Sequence, residues 1–521
     1  MMKRTGLARA RCAAVAALLV ALVAGCGQAA SSGGAADPGG VLKYGYPMPV
    51  AGVHFDPAQT VLAPDGFWMS LVYGTLMKQR SDGSLVPGMA KSADVVDSRT
   101  VKITLRPGVK FSDGAAFDAE AVRKSLMRAR TPATPAAKGG QDVGMKALAS
   151  AEAIDPLTVL VRLNAPLAGE FLTEMSQRDG AIVSPKQIAG SPESIDSKPV
   201  GAGPFTLVEN VAHQRLSFRK NPGYWDAGAV KLGGVDIVNT PTGPQQVNGL
   251  LSGALDWASY VPVNGSDALS SSGQYATNVN AVYTVELVMC AGKAPFDNES
   301  FRQAVQAGID RKAYAQRVFG GKTMPAYGLF REDSKNFAPE LKNLVAYDQN
   351  RAKTLVGSIG ATGASFDLHY PATLDFGSAA EALQAQLRAI GLNAKIVADR
   401  DSAAAFINPK APGALLFATI GSVGYGAFAR HFSPGSLLAV CGVDRPDVMQ
   451  AADRAAGLSP NDPNAVAAYR QAEETVARHA YVVPIVGYPT IAGWNTSRVG
   501  GTPAFNALGF PQLESLYVKG R

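Results

Sequence analysis

The sequence predicts an α/β protein built from more than one lobe. Three observations carry this. The chain has 521 residues, more than one hydrophobic core ordinarily serves. Residues 87–130 read as a strand, two turns and a capped helix. Residues 378–397 put a helix before a strand again, in a βαβ sense. Apolar residues make up 47% of the chain and charged residues 17%, a globular balance and not a disordered one.

The stretch PGMAKSADVVDSRTVKITLRPGVKFSDGAAFDAEAVRKSLMRAR (87–130) is the clearest. Val101, Ile103 and Leu105 alternate with Thr100, Lys102, Thr104 and Arg106, the pattern of a half-buried strand. Pro107-Gly108 and Ser112-Asp113-Gly114 supply turn chemistry. Asp118 stands at an N-cap with Glu120 in the first turn, where the helix dipole favours an acid. Val122, Leu126 and Ala129 follow at helical spacing.

The chain starts with Lys3, Arg4, Arg9 and Arg11, then an apolar run from Cys12 to Val23. That run is too short for a stable span of a bilayer; with Ala24 and Gly25 it reads as a secretory signal over 1–25. Those four bases supply more than half of the formal net charge of +7. The remainder has no basic run and is a poor nucleic-acid candidate. Residues 26–40 comprise Cys26 and a Gly/Ser/Ala linker. No other segment has 18 uncharged apolar residues. Past the signal, the cysteines are Cys26, Cys290 and Cys441. If Cys26 is acylated, two remain in an oxidising compartment. They pair across about 150 residues, a closure worth about 5 kcal/mol, or stay as two buried free thiols.

The other elements follow in order. Val41 to Pro47 is a first strand, and His54 lies in the loop after it. Trp68, Leu71, Val72 and Leu76 form one apolar side of the segment from Phe67 to Met77. Residues 131–150, rich in Ala, Pro, Thr and Gly, read as a surface loop, and Thr158 to Leu163 as a strand. Gly201-Ala202-Gly203-Pro204 marks a close approach of backbones before a strand; with no helix following, it is not a phosphate loop. Arg215 to Arg219 is a strand. Asp297 or Asn298 caps a helix with Phe301, Val305 and Ile309 inside. Gly320-Gly321-Lys322-Thr323 lacks the glycine a P-loop needs at Gln316. Helices are expected at 351–357, 378–391 and 466–479, and strands at 283–289, 392–397, 415–420 and 481–486. The tail from Gly487 returns to the first lobe.

Several of these segments share a family pattern: PGMAKS…TVKITLRPGVKFSDG…AEAV, Pro199–Phe205 (PVGAGPF), Asn221–Trp225 (NPGYW), Gly253–Asp256 and Ala294–Ala304 (APFDNESFRQA). In these segments the chain resembles the ABC-transporter solute-binding proteins of the dipeptide, oligopeptide and nickel class. The resemblance covers nearly everything from Val41 onward. It implies a type II periplasmic-binding fold of the large, three-subdomain kind. The expected division is a lobe I core (41–55, 199–285 and 488–521), an extra subdomain (56–198) and lobe II (286–487). It also implies a small-molecule ligand in an interlobe cleft, a partner ABC permease in the membrane and a monomeric receptor outside the cytoplasm. Val23-Ala24-Gly25-Cys26 resembles a lipobox, with diacylglycerol on Cys26 as the membrane anchor.

The sequence points to no cofactor, no metal centre and no catalytic residue. Its five histidines are isolated, and H-E-x-x-H, G-x-S-x-G and C-x-x-C do not occur. Glu473-Glu474 reads as part of a solvated helix face. A secreted hydrolase assembled from scattered residues is the rival reading. Peptide-binding relatives hold the ligand's ammonium with an aspartate after the strand matching 415–420, because a desolvated cation needs a paired charge. No acid occurs here between Ala414 and Val443. Either an acid from another segment serves, or the ligand is a sugar, an anionic or aromatic compound, or a metal chelate held by His431 and Arg430. The ligand-binding candidates are Tyr46, His54, Trp68, Tyr425, Phe428, Arg430 and Trp494, aromatic walls with few polar anchors.

Overall fold

Alternation and turn chemistry set the local elements, and packing gathers them around two cores. The structure, a computed structural model, describes residues 34–48, 52–59, 65–131, 142–372, 376–400, 413–420, 424–434, 436, 438 and 444–520. The segment 87–130 folds as its pattern dictates. Ala90–Asp97 and Thr100–Leu105 pair antiparallel, and Val101, Ile103 and Leu105 are buried. The Asp118 carboxylate accepts the Ala121 N–H at the head of the helix Ala119–Ala129. Leu148–Asp155 and Thr158–Leu163 complete a four-stranded antiparallel sheet.

Ten strands make the main sheet. From one edge their order is Asn393–Asp399, Ser365–Pro371, Gly413–Ile420, Tyr275–Met289, Val482–Asn495, Trp257–Val261, Val41–Tyr46, Gly234–Asn239, Arg215–Lys220 and Phe205–Val211. Val41–Tyr46 runs parallel to both neighbours, so Tyr46 and Tyr260 end up at the same side of the sheet. Mixed strand direction with helices between strands is the α/β arrangement.

Two strands, Tyr275–Met289 and Val482–Asn495, are much longer than the rest, at 15 and 14 residues. They pair antiparallel. At one end, Val285–Met289 and Val482–Val486 belong to a core drawn from residues 285–486. At the other, Ala492 joins a core of residues 42–257 and 499–518. A small third core (Leu250, Leu255, Ala258, Val261, Leu269 and Ile491) packs beneath the helices Gly243–Leu251 and Val263–Ser271. The tail after Gly487 therefore returns to the first core, through Val499, Leu513, Leu516 and Val518.

The sequence pattern marks only 283–289 and 481–486 of these two strands. Pro484 and Pro489 interrupt the pattern, since proline cannot donate to a ladder. In the fold the pairing register shifts beside both prolines, between Val285/Glu286 and between Asn280/Tyr283. Bulges accommodate what a regular ladder would reject.

Gly201 and Gly203 lie against the end of the helix Asp65–Tyr73. A Cβ on Gly203 would sit 2.6 Å from the Val72 carbonyl oxygen, and one on Gly201 would sit 2.6 Å from the Tyr73 Cα. The Gly203 N–H donates to the Val72 carbonyl at 2.8 Å. This is the close backbone approach expected from the motif. Within 131–150, by contrast, the surface-loop reading gives way to a helix Val143–Ala147 running into the strand from Leu148. Met145 and Leu148 are fully buried, and two anchored apolar side chains fix a stretch that composition marks as loop. The signal segment 1–25, Cys26 and much of the linker to 40 lie outside the described residues. No described helix is long and apolar enough to cross a membrane. Cys290 is buried and disulfide-bonded, and Cys441, its expected partner, also lies outside the described residues.

Gly201→Ala should lower unfolding stability by about 2 kcal/mol or more, because the methyl meets backbone that cannot rotate away. Chemical denaturation checks this; a variant as stable as the parent would contradict the close approach.

Candidate functional site

Where the two long strands pass between the cores, tyrosines converge. Tyr46 ends its strand, Tyr260 lies near the end of the adjacent one, and Tyr283 faces Tyr488 across the long pair. The Tyr46 and Tyr260 rings meet edge-on at 5.5 Å, with their hydroxyls 3.5 Å apart. Burial, followed by the charge of Tyr260, raises the Tyr46 hydroxyl well above its ordinary value, and Tyr283 rises for the same reasons. Phe510 closes on Tyr46 from the C-terminal segment at 6.3 Å. On the other side, Phe319 and Phe376 stand edge-on to Tyr488 at 5.7 and 5.9 Å. Rings with polar tips at a lobe junction suit an organic solute.

The second core contributes the helix Gly426–Phe432. Its His431 is buried. Nδ1 faces the Ala427 carbonyl at 2.9 Å and Nε2 faces Glu286 at 2.6 Å. Both ring nitrogens are occupied, which leaves no lone pair for the metal-chelate role considered for His431. Among the described residues no three His, Cys, Asp or Glu side chains converge as a metal cage. Arg430 is mostly buried; burial holds its guanidinium below the usual value, against the pull of Glu286 and then Asp142.

Opposite this helix lies a set of carboxylates from the first core's side. Glu170 accepts the Tyr425 N–H at 3.0 Å and the Gly426 N–H at 3.2 Å. Glu174 accepts the Gly144 and Met145 N–H groups, both at 2.7 Å. Arg178 pairs with Asp142 at 3.1 Å and Asp179 at 3.4 Å. Burial pushes the Glu170 and Asp179 carboxyls up to about 7 and holds the Glu174 carboxyl well above its usual value. Burial also works against the Arg178 charge, but Asp142, Asp179 and Glu174 outweigh it and hold that group above its usual value.

The predicted residues separate into groups. Tyr46 and Trp68 meet edge-on at 5.9 Å. Trp68 is fully buried, and its indole N–H donates to the His54 carbonyl at 3.1 Å. His54 is half-exposed, with Nδ1 3.0 Å from Asp196. Asp196 also accepts the N–H groups of Phe55 and Asp56, so the loop is held from its own side. Phe428 is buried in the second core, stacked on Tyr469 at 5.9 Å and edge-on to Phe330. Tyr425 and Arg430 flank it, next to Glu170 and Asp142. Trp494 stacks on Trp257 at 4.8 Å and pairs with it across the strands, six residues beyond Tyr488.

The sequence reading missed Tyr260, Tyr283, Tyr488, Glu170 and Glu286. Residue type alone does not mark them, because strand order decides which strand ends meet. It also misplaced Glu473. That residue is 1% exposed, on the same helix face as Tyr469, Ala472 and Val476, and it accepts the N–H groups of Phe330 and Ala338. Glu474, one position on, pairs with Arg478 at 3.4 Å. One step along a helix turns the side chain by about 100°, from the core to the rim.

The chain is similar to proteins of one family. The family described as bacterial extracellular solute-binding proteins, family 5 (middle part), matches residues 84–424. The glutathione-binding protein GsiB of Salmonella paratyphi A is 27% identical over 428 residues, covering 78% of this chain and 80% of the relative. NikA from Brucella suis, solved with Fe(III)-EDTA, superposes with a TM-score of 0.75 at 21% identity, over 92% of this chain and 99% of its own. The dipeptide-binding protein of a Pseudoalteromonas strain, solved with Met-Leu, gives 0.71 at 20% identity, over 92% and 100%. These solved structures share the fold, that of type II periplasmic-binding proteins.

The buried acid makes stability depend on pH. Burial raises the Glu473 carboxyl from 4.5 to about 8, so the folded chain keeps a proton that the unfolded chain releases. The group's contribution is complete below the unfolded value and is lost as pH rises through the folded one. Thermal melts should show the parent losing stability relative to Glu473→Gln between about pH 5 and pH 9. Parallel profiles would refute this.

Proposed function

We propose that this chain, which belongs to the bacterial extracellular solute-binding proteins of family 5, is the substrate-binding component of an ABC importer. It takes one small solute between its lobes and passes it, unmodified, to permease subunits in the membrane. The observation that carries this reading is the hinge. Two long strands share their ends between the two cores, and their ladder is interrupted by a register shift, at Asn280/Tyr283, where they cross. Such a crossing can flex while each core stays rigid.

We assign the solute to the peptide-like class. GsiB is named for glutathione, and two similar folds hold or are named for peptides. The acid missing from the loop after Gly413–Ile420 has substitutes from other segments: Glu286 and Asp142, whose charges both act on Arg430 of the helix Gly426–Phe432. They supply the negative charge a ligand ammonium needs. The tyrosines at the crossing form the apolar wall, and Arg430 faces the ligand's acidic end. Cys26 carries diacylglycerol, the linker to residue 40 tethers the monomer to the outer face of the membrane, and Cys290 pairs with Cys441.

Small molecules that co-purify with the mature chain, read by native mass spectrometry, test the reading. Titration with reduced glutathione and with dipeptides should show saturable binding, compaction in solution scattering, and recovery of the ligand intact. Hydrolysed ligand would turn the reading to the secreted hydrolase. Arg430→Ala should weaken binding by about tenfold or more, the loss of one charged hydrogen bond. Cys26→Ala should move the protein out of the membrane fraction; unchanged sedimentation would overturn the anchor.

A further inference from the structure

The contact between Glu170 and the second core differs from the other carboxylate pairings beside it. Among the described residues, the bonds of Glu174, Asp142 and Asp179, with those that join them to Arg178, stay within their own side of the molecule. Glu170, on the helix Ala168–Glu174, reaches across the lobe junction with both carboxyl oxygens. Its targets are the backbone N–H groups of Tyr425 and Gly426. They lie a few residues after the strand Gly413–Ile420, in the segment proposed to face the ligand.

The backbones on both sides are shaped for this contact. A Cβ on Gly424 would sit 2.7 Å from a Glu170 carboxyl oxygen. A Cβ on Gly169 would run into the Leu458 carbonyl and sit 3.0 Å from that of Ala456. Glycine on each side of the junction lets one chain lie directly on the other, with a carboxylate closing the gap. Glu170 is 6% exposed, so water does not compete for its bonds. A buried carboxylate that lost these two donors would be left unsatisfied, which makes the contact all-or-none.

We propose that Glu170 is a positioning residue that latches the shut lobes together. It holds the ligand-facing segment of the second lobe against the first. The proposal rests on the solute-binding reading, since a latch matters only if the lobes part and meet. When the lobes open, both amides and the carboxylate pass into water. The latch thus sets how much of the ligand's binding energy closure consumes, without touching the ligand.

Hydrogen exchange on the mature full-length chain with no ligand added tests this separately from any ligand's identity. In the parent, the Tyr425 and Gly426 amides should be protected. Glu170→Ala should speed their exchange by about tenfold or more, the loss of a buried acceptor. Glu170→Gln, with one acceptor oxygen left, should fall between. Gly424→Ala should act like Glu170→Ala, since its methyl occupies the carboxylate's place while leaving lobe I untouched. Both alanine variants should also show a larger radius of gyration in scattering. Unchanged exchange at 425–426 in Gly424→Ala overturns the latch, whether or not Glu170→Ala folds. So does a loss of protection spread evenly over both lobes in both alanine variants, which would mean that the contact serves only the fold. Failure to bind either glutathione or dipeptides, with the exchange pattern as expected, would refute the peptide-like assignment and leave the latch standing.

Discussion

Everything in this molecule depends on one antiparallel pair of strands that belongs to two cores at once. Val285–Met289 and Val482–Val486 are buried in one apolar cluster, and Ile491, Ala492 and Trp494 pack on the side of the other. The hydrophobic gain at each end is large, of the order of 2 kcal/mol for each fully buried aliphatic side chain, so neither end can slip. The middle is held by a ladder broken at Asn280/Tyr283, and a second break at Val285/Glu286 lies at the edge of the second core. Any change in lobe angle would therefore fall on the crossing, where the tyrosines stand.

The candidate site follows from that placement. Aromatic rings cover the crossing, and charged groups lie to one side of it. The charges are unevenly distributed: Glu174 and Asp179, both raised by burial, lie beside Arg178, while Glu286 and Asp142 act on Arg430. Burial makes such groups costly unless each finds a donor. Backbone amides supply many of those donors, at Gly144, Met145, Tyr425 and Gly426. The polar side of the site is thus built largely from main chain, which a sequence motif does not display.

Much of the local structure was legible in the residues. Asp118 caps its helix, Asn298 caps the helix Glu299–Ala307 by accepting the Ser300 and Phe301 N–H groups, and Gly201 and Gly203 permit a backbone contact. Each depends on neighbours a few positions away. The site was less legible because it depends on strand order. Tyr46 could be named from its place after a first strand, but Tyr260, Tyr283 and Tyr488 meet it only through the sheet. Pro484 and Pro489 hid the length of the crossing strand, and helix phase separated Glu473 from Glu474. The resemblance supplied the two-lobe topology that composition and periodicity leave open.

The chain's path through the first core also bears on how the protein is made. The Asp37 backbone N–H donates to the Val518 carbonyl at 2.8 Å, and Ala36 bridges Lys519, so the earliest and latest described segments lie side by side. Val499, Leu513, Leu516 and Val518 complete a core begun at Leu42. Among the described residues, only five of its buried members, Ala492, Val499, Leu513, Leu516 and Val518, come from beyond Trp257, and that last side of the core waits until nearly all of the polypeptide is available. Contacts of such long sequence separation form slowly. A newly made copy thus keeps one side of its first core uncovered until its last segment has been added.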